Sequence, residues 1–220
     1  MFDIHSHVLY GVDDGARTID ESVDMLKKAK MSGIDKIIAT PHVRREYGNV
    51  NLMRERFLEV RDEADKLGIK LFMGYEVNCL MLTDIKPEDY KSYCIEGTNS
   101  FLLEFEFSNI PAYFDTMIYA LQKEGLTVII AHPERYLFVL KDFKIAERLI
   151  EMGCEIQIES WSLSLPKFSN QRRVAEKLIT EGKAHYIASD AHKSEDYINF
   201  AKNIRRYGKT FLAPSLSINI

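Results

Sequence analysis

Seven short apolar runs recur along this chain: Phe2–His5, Lys36–Thr40, Lys70–Tyr75, Phe101–Glu106, Thr127–Ala131, Glu155–Ile158 and His185–Ser189. Longer segments of helical periodicity fill most of the intervals between them. Runs of this length predict strands, and the amphipathic segments predict the helices that connect them. A strand–helix–strand repeat predicts a parallel sheet, because parallel neighbours need a long crossover. About 30 residues per unit fits a closed α/β barrel, although the open doubly wound sheet is written in the same alphabet. Helix punctuation agrees. Thr18-Ile19-Asp20-Glu21 reads as a capping box opening a helix that stops at Gly33. Pro111 suits the first turn of a helix ending before Gly125, and Gly68, Gly153 and Gly182 close further helices. Met81–Asn99 is the one irregular stretch, with a short helix expected after Pro87. No linker or low-complexity tract divides the chain, which predicts a single domain over residues 1–220.

Composition narrows the classes. Apolar residues make up 46% of the 220 positions, enough to build a core, but no uncharged apolar window is long enough for a transmembrane helix. The opening Met1-Phe2-Asp3-Ile4-His5 lacks the basic region of a signal peptide. A net charge of −4 argues against a face-wide nucleic-acid surface. The cysteines Cys79, Cys94 and Cys154 form no Cys-x-x-Cys pair, so buried, reduced thiols in a cytoplasmic protein are expected. No signal for an oligomeric state is visible.

Parallel α/β enzymes keep their chemistry at the carboxyl ends of the strands. Strand one ends in His5-Ser6-His7, with Asp13 and Asp14 close behind; strand two leads to His42 and strand three to Glu76. Strand four contains Glu104 and Glu106, strand five ends in His132, strand six in Gln157 and Glu159, and strand seven in Asp190-Ala191-His192. Five of the six histidines therefore fall at strand ends, and His185 alone starts a strand at the opposite face. Alone, His42 or His132 would read as a core histidine, Glu76 or Glu104 as a salt-bridge partner, and Asp13 beside Gly15 as turn chemistry. Converging on one rim, they read as metal ligands. Residues two apart on a strand leave the same face, so His5 and His7 can meet one cation, and Asp190 with His192 repeats that spacing. Imidazole and carboxylate together suit zinc, manganese or iron. So many donors oversupply a single ion, which predicts two or three, bridged by a carboxylate.

These residues resemble the polymerase-and-histidinol-phosphatase (PHP) superfamily. More narrowly, Asp3-Ile4-His5-Ser6-His7, Gly11-Val12-Asp13-Asp14-Gly15-Ala16, Ala39-Thr40-Pro41-His42, Leu103-Glu104-Phe105, Ile130-Ala131-His132-Pro133-Glu134-Arg135-Tyr136 and Ile187-Ala188-Ser189-Asp190-Ala191-His192 resemble the manganese-dependent tyrosine phosphatases of bacterial capsule and exopolysaccharide clusters. The likeness implies a distorted (β/α)7 barrel with its metal site at the carboxyl ends of the strands. It also implies that His5, His7, Glu104 and Asp190 hold or bridge a first metal, that Glu76 and His132 join the central cluster, and that Asp14, His42 and His192 hold another ion. Glu106 shares Glu104's face and is excluded on the resemblance alone. One departure concerns the substrate. The family continues toward a Gly-Arg that helps hold phosphate, whereas this chain runs Lys193-Ser194-Glu195-Asp196-Tyr197.

The expected activity is hydrolysis of phosphomonoesters by a metal-held hydroxide. The catalytic candidates are Arg135 and Asp190. Arg135 offers a planar fork to phosphate oxygens, and Lys193 or Arg44 would stand in for the absent arginine. The resemblance implies two or three divalent ions, manganese first with iron or zinc as alternatives, and a phosphotyrosine protein as substrate, namely a bacterial tyrosine autokinase. A phosphatase of a small metabolite such as histidinol phosphate is the alternative. A nuclease and a metal-stabilised binding protein without turnover are weaker ones. Cysteine-phosphatase chemistry is excluded: six residues beyond Cys79, Cys94 and Cys154 stand Ile85, Ser100 and Ser160, not arginine.

Overall fold

Every expected strand position carries a strand, and two of the seven are broken in half. The structure, a computed structural model, describes residues 1–208. Its strands are β1 (Phe2–Ser6), β2 (Lys36–Ala39), β3 (His42–Val43), β4 (Lys70–Met73), β5 (Glu76–Asn78), β6 (Ser100–Glu104), β7 (Thr127–Ala131), β8 (Glu155–Glu159) and β9 (Tyr186–Ala188). The helices are α1 (Ile19–Met31), α2 (Val50–Lys66), α3 (Phe114–Lys123), α4 (Leu137–Lys141), α5 (Lys144–Glu151), α6 (Asn170–Thr180) and α7 (Ser194–Tyr207). All pairings are parallel, in a three-stranded sheet β1-β2-β4 and a six-stranded sheet β3-β5-β6-β7-β8-β9.

The expected single ring of seven strands is not formed as one closed ladder among the described residues. Pro41 has no N–H to give to a ladder, so pairing lapses at Thr40–Pro41 and resumes as β3. The neighbouring strand breaks alongside it at Gly74–Tyr75. Single hydrogen bonds cross the lapse, from Gly74 N–H to the Ala39 carbonyl at 2.8 Å and from Glu76 N–H to the Pro41 carbonyl at 3.1 Å. At the far edges, Ser6 bridges Ala191, with His7 N–H donating to the Ala191 carbonyl at 2.9 Å.

Alternation sorts the strand residues into two apolar layers. Ile37, Ala39, Leu103 and Ile130 pack toward the helices, whereas Ile4, Ile38, Leu102, Ile129, Ala131, Tyr186 and Ala188 meet one another in a second buried cluster. Successive strand residues point to opposite faces, so both faces of a helix-covered parallel sheet must be apolar. Each fully buried Ile or Leu adds roughly 1.5–3 kcal/mol relative to exposure.

Local signals hold with two exceptions. Thr18 accepts the Glu21 N–H through its hydroxyl at 3.3 Å, but the Glu21 carboxylate returns to the backbone N–H of Arg17, so only half the capping box forms. Gly33 ends α1 in a left-handed conformation (φ 87), which glycine adopts without a Cβ penalty. Pro111 does not open α3. It precedes it, and its carbonyl accepts the Phe114 N–H at 3.0 Å. The irregular stretch holds 3-10 helices at Cys79–Thr83 and Pro87–Tyr93. All three cysteines are buried, and burial pushes their thiols up to about 11, 11 and 12, which leaves them unreactive. No described helix is long and apolar enough to cross a membrane.

Candidate metal centre

Strand parity builds the site. His42 stands four residues beyond Ile38, Glu76 four beyond Phe72, Glu104 two beyond Leu102 and Asp190 two beyond Ala188, all on faces that belong to the second apolar cluster. The strand faces that fill the interior with aliphatic side chains thus end, at their carboxyl ends, in imidazoles and carboxylates. His132, one residue beyond Ala131, leaves this parity through backbone strain. His132 (φ 33) and Asp190 (φ 51) are the non-glycine residues with positive φ among the described residues. Such conformations cost about 1–3 kcal/mol each and persist where the surroundings over-determine them. Around His132 they do: the Tyr136 hydroxyl donates to the Ala131 carbonyl at 2.7 Å and accepts the Phe105 N–H at 3.0 Å, and Glu134 accepts the Glu159 N–H at 2.8 Å.

Glu76 is the hub. Its Oε2 lies 2.7 Å from His42 Nδ1, 3.3 Å from His5 Nε2 and 3.5 Å from His7 Nε2, and its Oε1 lies 2.9 Å from His132 Nε2. Asp190 Oδ1 stands 3.3 Å from His5 Nε2 and 3.2 Å from His7 Nε2. On the solvent side Asp14 Oδ1 faces His42 Nε2 at 3.4 Å and His192 Nε2 at 3.3 Å. Glu104 Oε1 lies 3.9 Å from His132 Nε2. Three overlapping groups emerge, His7/Asp14/His42/His192, His5/His7/Glu76/Asp190 and His42/Glu76/Glu104, with the ligand atoms in each within 4.8 Å of one another. All nine residues expected as ligands, drawn from across nearly 190 residues of chain, are brought together.

Two orienting residues escaped the sequence reading. Asp13 accepts the His7 Nδ1–H at 2.8 Å and the backbone N–H groups of His42 and Gly15 at 3.0 Å each, so it is more than a turn residue. Gln157 accepts the His5 Nδ1–H through Oε1 at 3.0 Å. His192 donates its Nδ1–H to the Asp190 carbonyl at 2.9 Å. In each case the Nε2 lone pair is left to face the cluster, the arrangement in which a second hydrogen bond fixes a ligating imidazole. The visible signal for Asp13 was its spacing of six from His7; for Gln157 it was a polar residue inside an apolar strand.

The electrostatics describe a site short of positive charge. Burial alone would raise Glu76, but the imidazoles of His42 and His5 hold its carboxyl well below the usual range. Burial and the charge of Glu76 push Glu104 up to about 8, against the pull of Arg44. Burial would lower His5, yet Glu76 and Asp190 raise it to about 9. Burial drops His132 to about 4, leaving it neutral and able to ligate. Glu76 Oε2, Asp190 Oδ1 and His42 Nδ1 are buried, and close as they lie to ring nitrogens and carboxylate oxygens, none is aligned for a hydrogen bond. Such atoms are costly unless something binds them. The donor set of imidazole and carboxylate, with these atoms turned toward one another, fits divalent metal ions.

The cationic candidates divide. Arg135 Nη1 donates to Asp190 Oδ2 at 2.8 Å, its Nε lies 3.4 Å from Glu159 Oε2, and its guanidinium lies over the Phe107 ring at 4.8 Å. Arg44 is engaged in a two-pronged contact with Glu104, Nη2 to Oε1 at 2.6 Å and Nε to Oε2 at 3.1 Å. Lys193 borders two cavities of about 420 and 340 Å³ beside His192. Glu106 accepts from Asn78 Nδ2 at 2.7 Å, the same group that reaches Glu104 Oε2 at 3.4 Å, whereas His185 accepts the Ile156 N–H at 3.1 Å away from the ligands. A separate cavity of about 690 Å³, between α2 and residues 91–99, is lined by no histidine and lies away from the ligand chemistry.

Comparison with known proteins agrees with this geometry. Residues 1–207 match the family described as capsular polysaccharide synthesis, CpsB/CapC. The CapC protein of Staphylococcus aureus is 37% identical over 199 residues, covering 87% of this chain and 77% of its own. The tyrosine-protein phosphatase YwqE of Bacillus subtilis is 31% identical over 201 residues, with the same coverage of 87% and 77%. A crystal structure from a study of YwqE and of CpsB from Streptococcus pneumoniae, described as unique metal-dependent tyrosine phosphatases, superposes with a TM-score of 0.83 at 27% identity, covering 99% of this chain and 90% of that one. This chain belongs to the CpsB/CapC family.

Proposed function

We propose that this protein is a metal-dependent phosphomonoester hydrolase acting on phosphotyrosine in proteins. The observation that carries the reading is the Glu76 carboxylate, buried and surrounded by His5, His7, His42 and His132 within 3.5 Å, beside an arginine fork fixed on Asp190. Its relatives named as tyrosine-protein phosphatases support the same choice.

In this reading His5, His7, Asp14, His42, Glu76, Glu104, His132, Asp190 and His192 hold two or three divalent ions, manganese first. When bound, such ions supply Lewis-acid charge that lowers the pKa of water and offsets the charge of phosphate oxygens. Arg135 binds the phosphate. One prong is held by Asp190 and the ring of Phe107 limits its tilt, so the remaining N–H groups are presented in a fixed direction. Lys193 adds a second positive charge at the mouth, and Arg44 serves to hold Glu104 in place. A tyrosyl leaving group, with a pKa near 10, departs with less proton donation than an alkyl alcohol requires.

The reading extends to the whole chain as one PHP-type domain. The two sheets, hydrogen-bonded across their gaps, stand for the distorted seven-unit barrel, with the bacterial tyrosine autokinase as substrate in the cytoplasm. Elemental analysis of purified protein, paired with turnover of a phosphotyrosine peptide and of histidinol phosphate with different divalent ions, tests it. Metal-dependent, chelator-sensitive turnover of the peptide is expected. Preference for histidinol phosphate, or turnover that survives metal removal, would overturn it.

A further inference from the structure

Trp161 is the one tryptophan of the chain, and it is 54% exposed. Its backbone is nonetheless fixed. It belongs to the 3-10 helix Ser160–Ser164 directly after β8, whose neighbours Ser160, Ser162 and Leu163 are buried. Asn203 of α7 donates to the Ser160 carbonyl at 2.8 Å and to the Ser164 hydroxyl at 2.9 Å, clamping the turn on both sides of the indole. A large aromatic side chain held in solvent on a pinned backbone is unusual for packing and characteristic of binding surfaces.

Its location gives that exposure a meaning. Trp161 lines a cavity of about 340 Å³ together with Arg135, Asp190, His192 and Lys193. Candidate metal ligands, the cations Arg135 and Lys193 and the carboxylates of Glu159 and Asp196 thus share its lining, and Trp161 is the one phenylalanine, tyrosine or tryptophan among those residues. Phe107, the other exposed aromatic nearby, is already engaged: its ring stacks on His132 at 5.9 Å and against the Arg135 guanidinium at 4.8 Å.

We propose that Trp161 is the wall on which the substrate's aryl ring packs, making it a specificity-determining residue for aryl over alkyl phosphomonoesters. The proposal rests on the phosphatase reading above and adds to it a residue that recognises the alcohol side of the ester. Cations and metal ligands recognise the phosphate whatever its ester; a ring with two apolar faces gains from an indole, and an alkyl chain does so far less. The ring is the same before and during bond cleavage, so this contact acts on binding, and its loss appears in KM rather than kcat.

The holoprotein allows two measurements. With a single tryptophan, emission reports directly on Trp161. Phenylphosphonate is expected to shift or quench it, while methylphosphonate, which offers the same charge without the ring, leaves it unchanged. In kinetics, Trp161→Ala is expected to raise KM for phenyl phosphate and a phosphotyrosine peptide about 3- to 10-fold with kcat nearly unchanged, and to leave glycerol phosphate unaffected. Trp161→Phe restores most of the loss. Equal effects on aryl and alkyl esters, or phenylphosphonate that inhibits without moving the fluorescence, would overturn the proposal. Failure of the wild-type holoprotein to turn over either ester would instead sink the phosphatase reading, with the titration still deciding whether an aryl group sits on Trp161.

Discussion

Arg135 Nη1 donates to Asp190 Oδ2 at 2.8 Å, while Oδ1 of the same carboxylate stands within 3.3 Å of both His5 Nε2 and His7 Nε2. One carboxylate therefore joins the Arg135 guanidinium, proposed to bind phosphate, to the cluster of candidate ligands. Arg135→Lys keeps the charge but loses the planar fork that can hold Asp190 and a phosphate together. We expect kcat/KM for a phosphotyrosine peptide to fall about 10²-fold, the scale of losing one pre-organised donor. Metal content, measured by elemental analysis, should be unchanged. Loss of metal would show that Arg135 serves chiefly to hold Asp190.

Glu76 carries more of the cluster than any other ligand, being within 3.5 Å of four imidazoles. Glu76→Gln conserves shape and removes the charge. It should lower metal affinity and turnover by at least about 10²-fold, beyond what loss of a merely orienting partner costs. It should also leave far-ultraviolet circular dichroism unchanged, because relieving a buried carboxylate does not open a cavity. Near-wild-type metal content in this variant would show that the ions are held by Asp14, Asp190 and the histidines without a central bridge.

Asp13 tests the orienting shell. It accepts the His7 Nδ1–H and is buried; burial raises its carboxyl, and the charge of His7 together with the hydrogen bonds from His7, Gly15 and His42 reverses this to leave it lowered. Asp13→Ala should weaken metal binding about 10- to 100-fold while leaving every ligand in place. Titration with manganese followed by activity at saturating metal separates the two effects: affinity falls, and most turnover returns at high metal.

The convergence of the nine candidate residues was legible in the sequence because parity and strand ends are local properties. His42, Glu76, Glu104 and Asp190 follow apolar residues at even spacing, and a parallel sheet collects such ends without further information. What the sequence did not carry depends on contacts between distant segments. The break at Gly74–Tyr75 follows from Pro41 on the neighbouring strand. Asp13 and Gln157 acquire their roles only from the histidines that they face. Arg44 read as one stand-in for the absent phosphate-binding arginine, and its two-pronged contact with Glu104, 60 residues away, is not visible in the sequence. The start expected at Pro111 slipped, and the box at Thr18 formed only by half although α1 begins where expected, for the opposite reason, since turn and capping patterns tolerate several nearly equivalent local solutions.

His185 gives a pH prediction away from the ligands. Burial lowers its pKa, with Glu155 opposing, and its Nδ1 accepts the Ile156 N–H, which requires the neutral ring. As pH falls through about 6.5, the unfolded chain takes up a proton that the fold resists. The contribution of the neutral ring is thus complete above that pH and is lost below it. Urea midpoints at pH 7.5 and 5.5 should fall further for the wild type than for His185→Gln, which can still accept the Ile156 N–H but does not titrate. Equal falls would mean that the imidazole is as easily protonated in the fold as outside it.

Gly15 links loop geometry to the metal cluster through contact distance alone. A Cβ built there would lie 2.1 Å from the His7 carbonyl oxygen and 2.6 Å from His7 Cβ, neither of which is the far end of a flexible side chain. The loop is held against that same residue by the Ala16 N–H, which donates to the His7 carbonyl at 3.2 Å, and by Asp13, which accepts both the Gly15 N–H and the His7 Nδ1–H. Gly15→Ala therefore pushes on the ligand His7 and on the segment carrying Asp14. Overpacking of this kind costs about 1–3 kcal/mol, which for a domain of this size lowers Tm by about 2–4 °C per kcal/mol. A methyl group elsewhere on the surface would do neither. Because the displaced atoms belong to the ligand cluster, manganese affinity should fall together with Tm, by a larger factor than in a variant matched for stability such as Leu149→Val, whose side chain is buried among the helices. If both variants bind manganese equally well, the loop adjusts without moving His7, and Gly15 matters for folding alone.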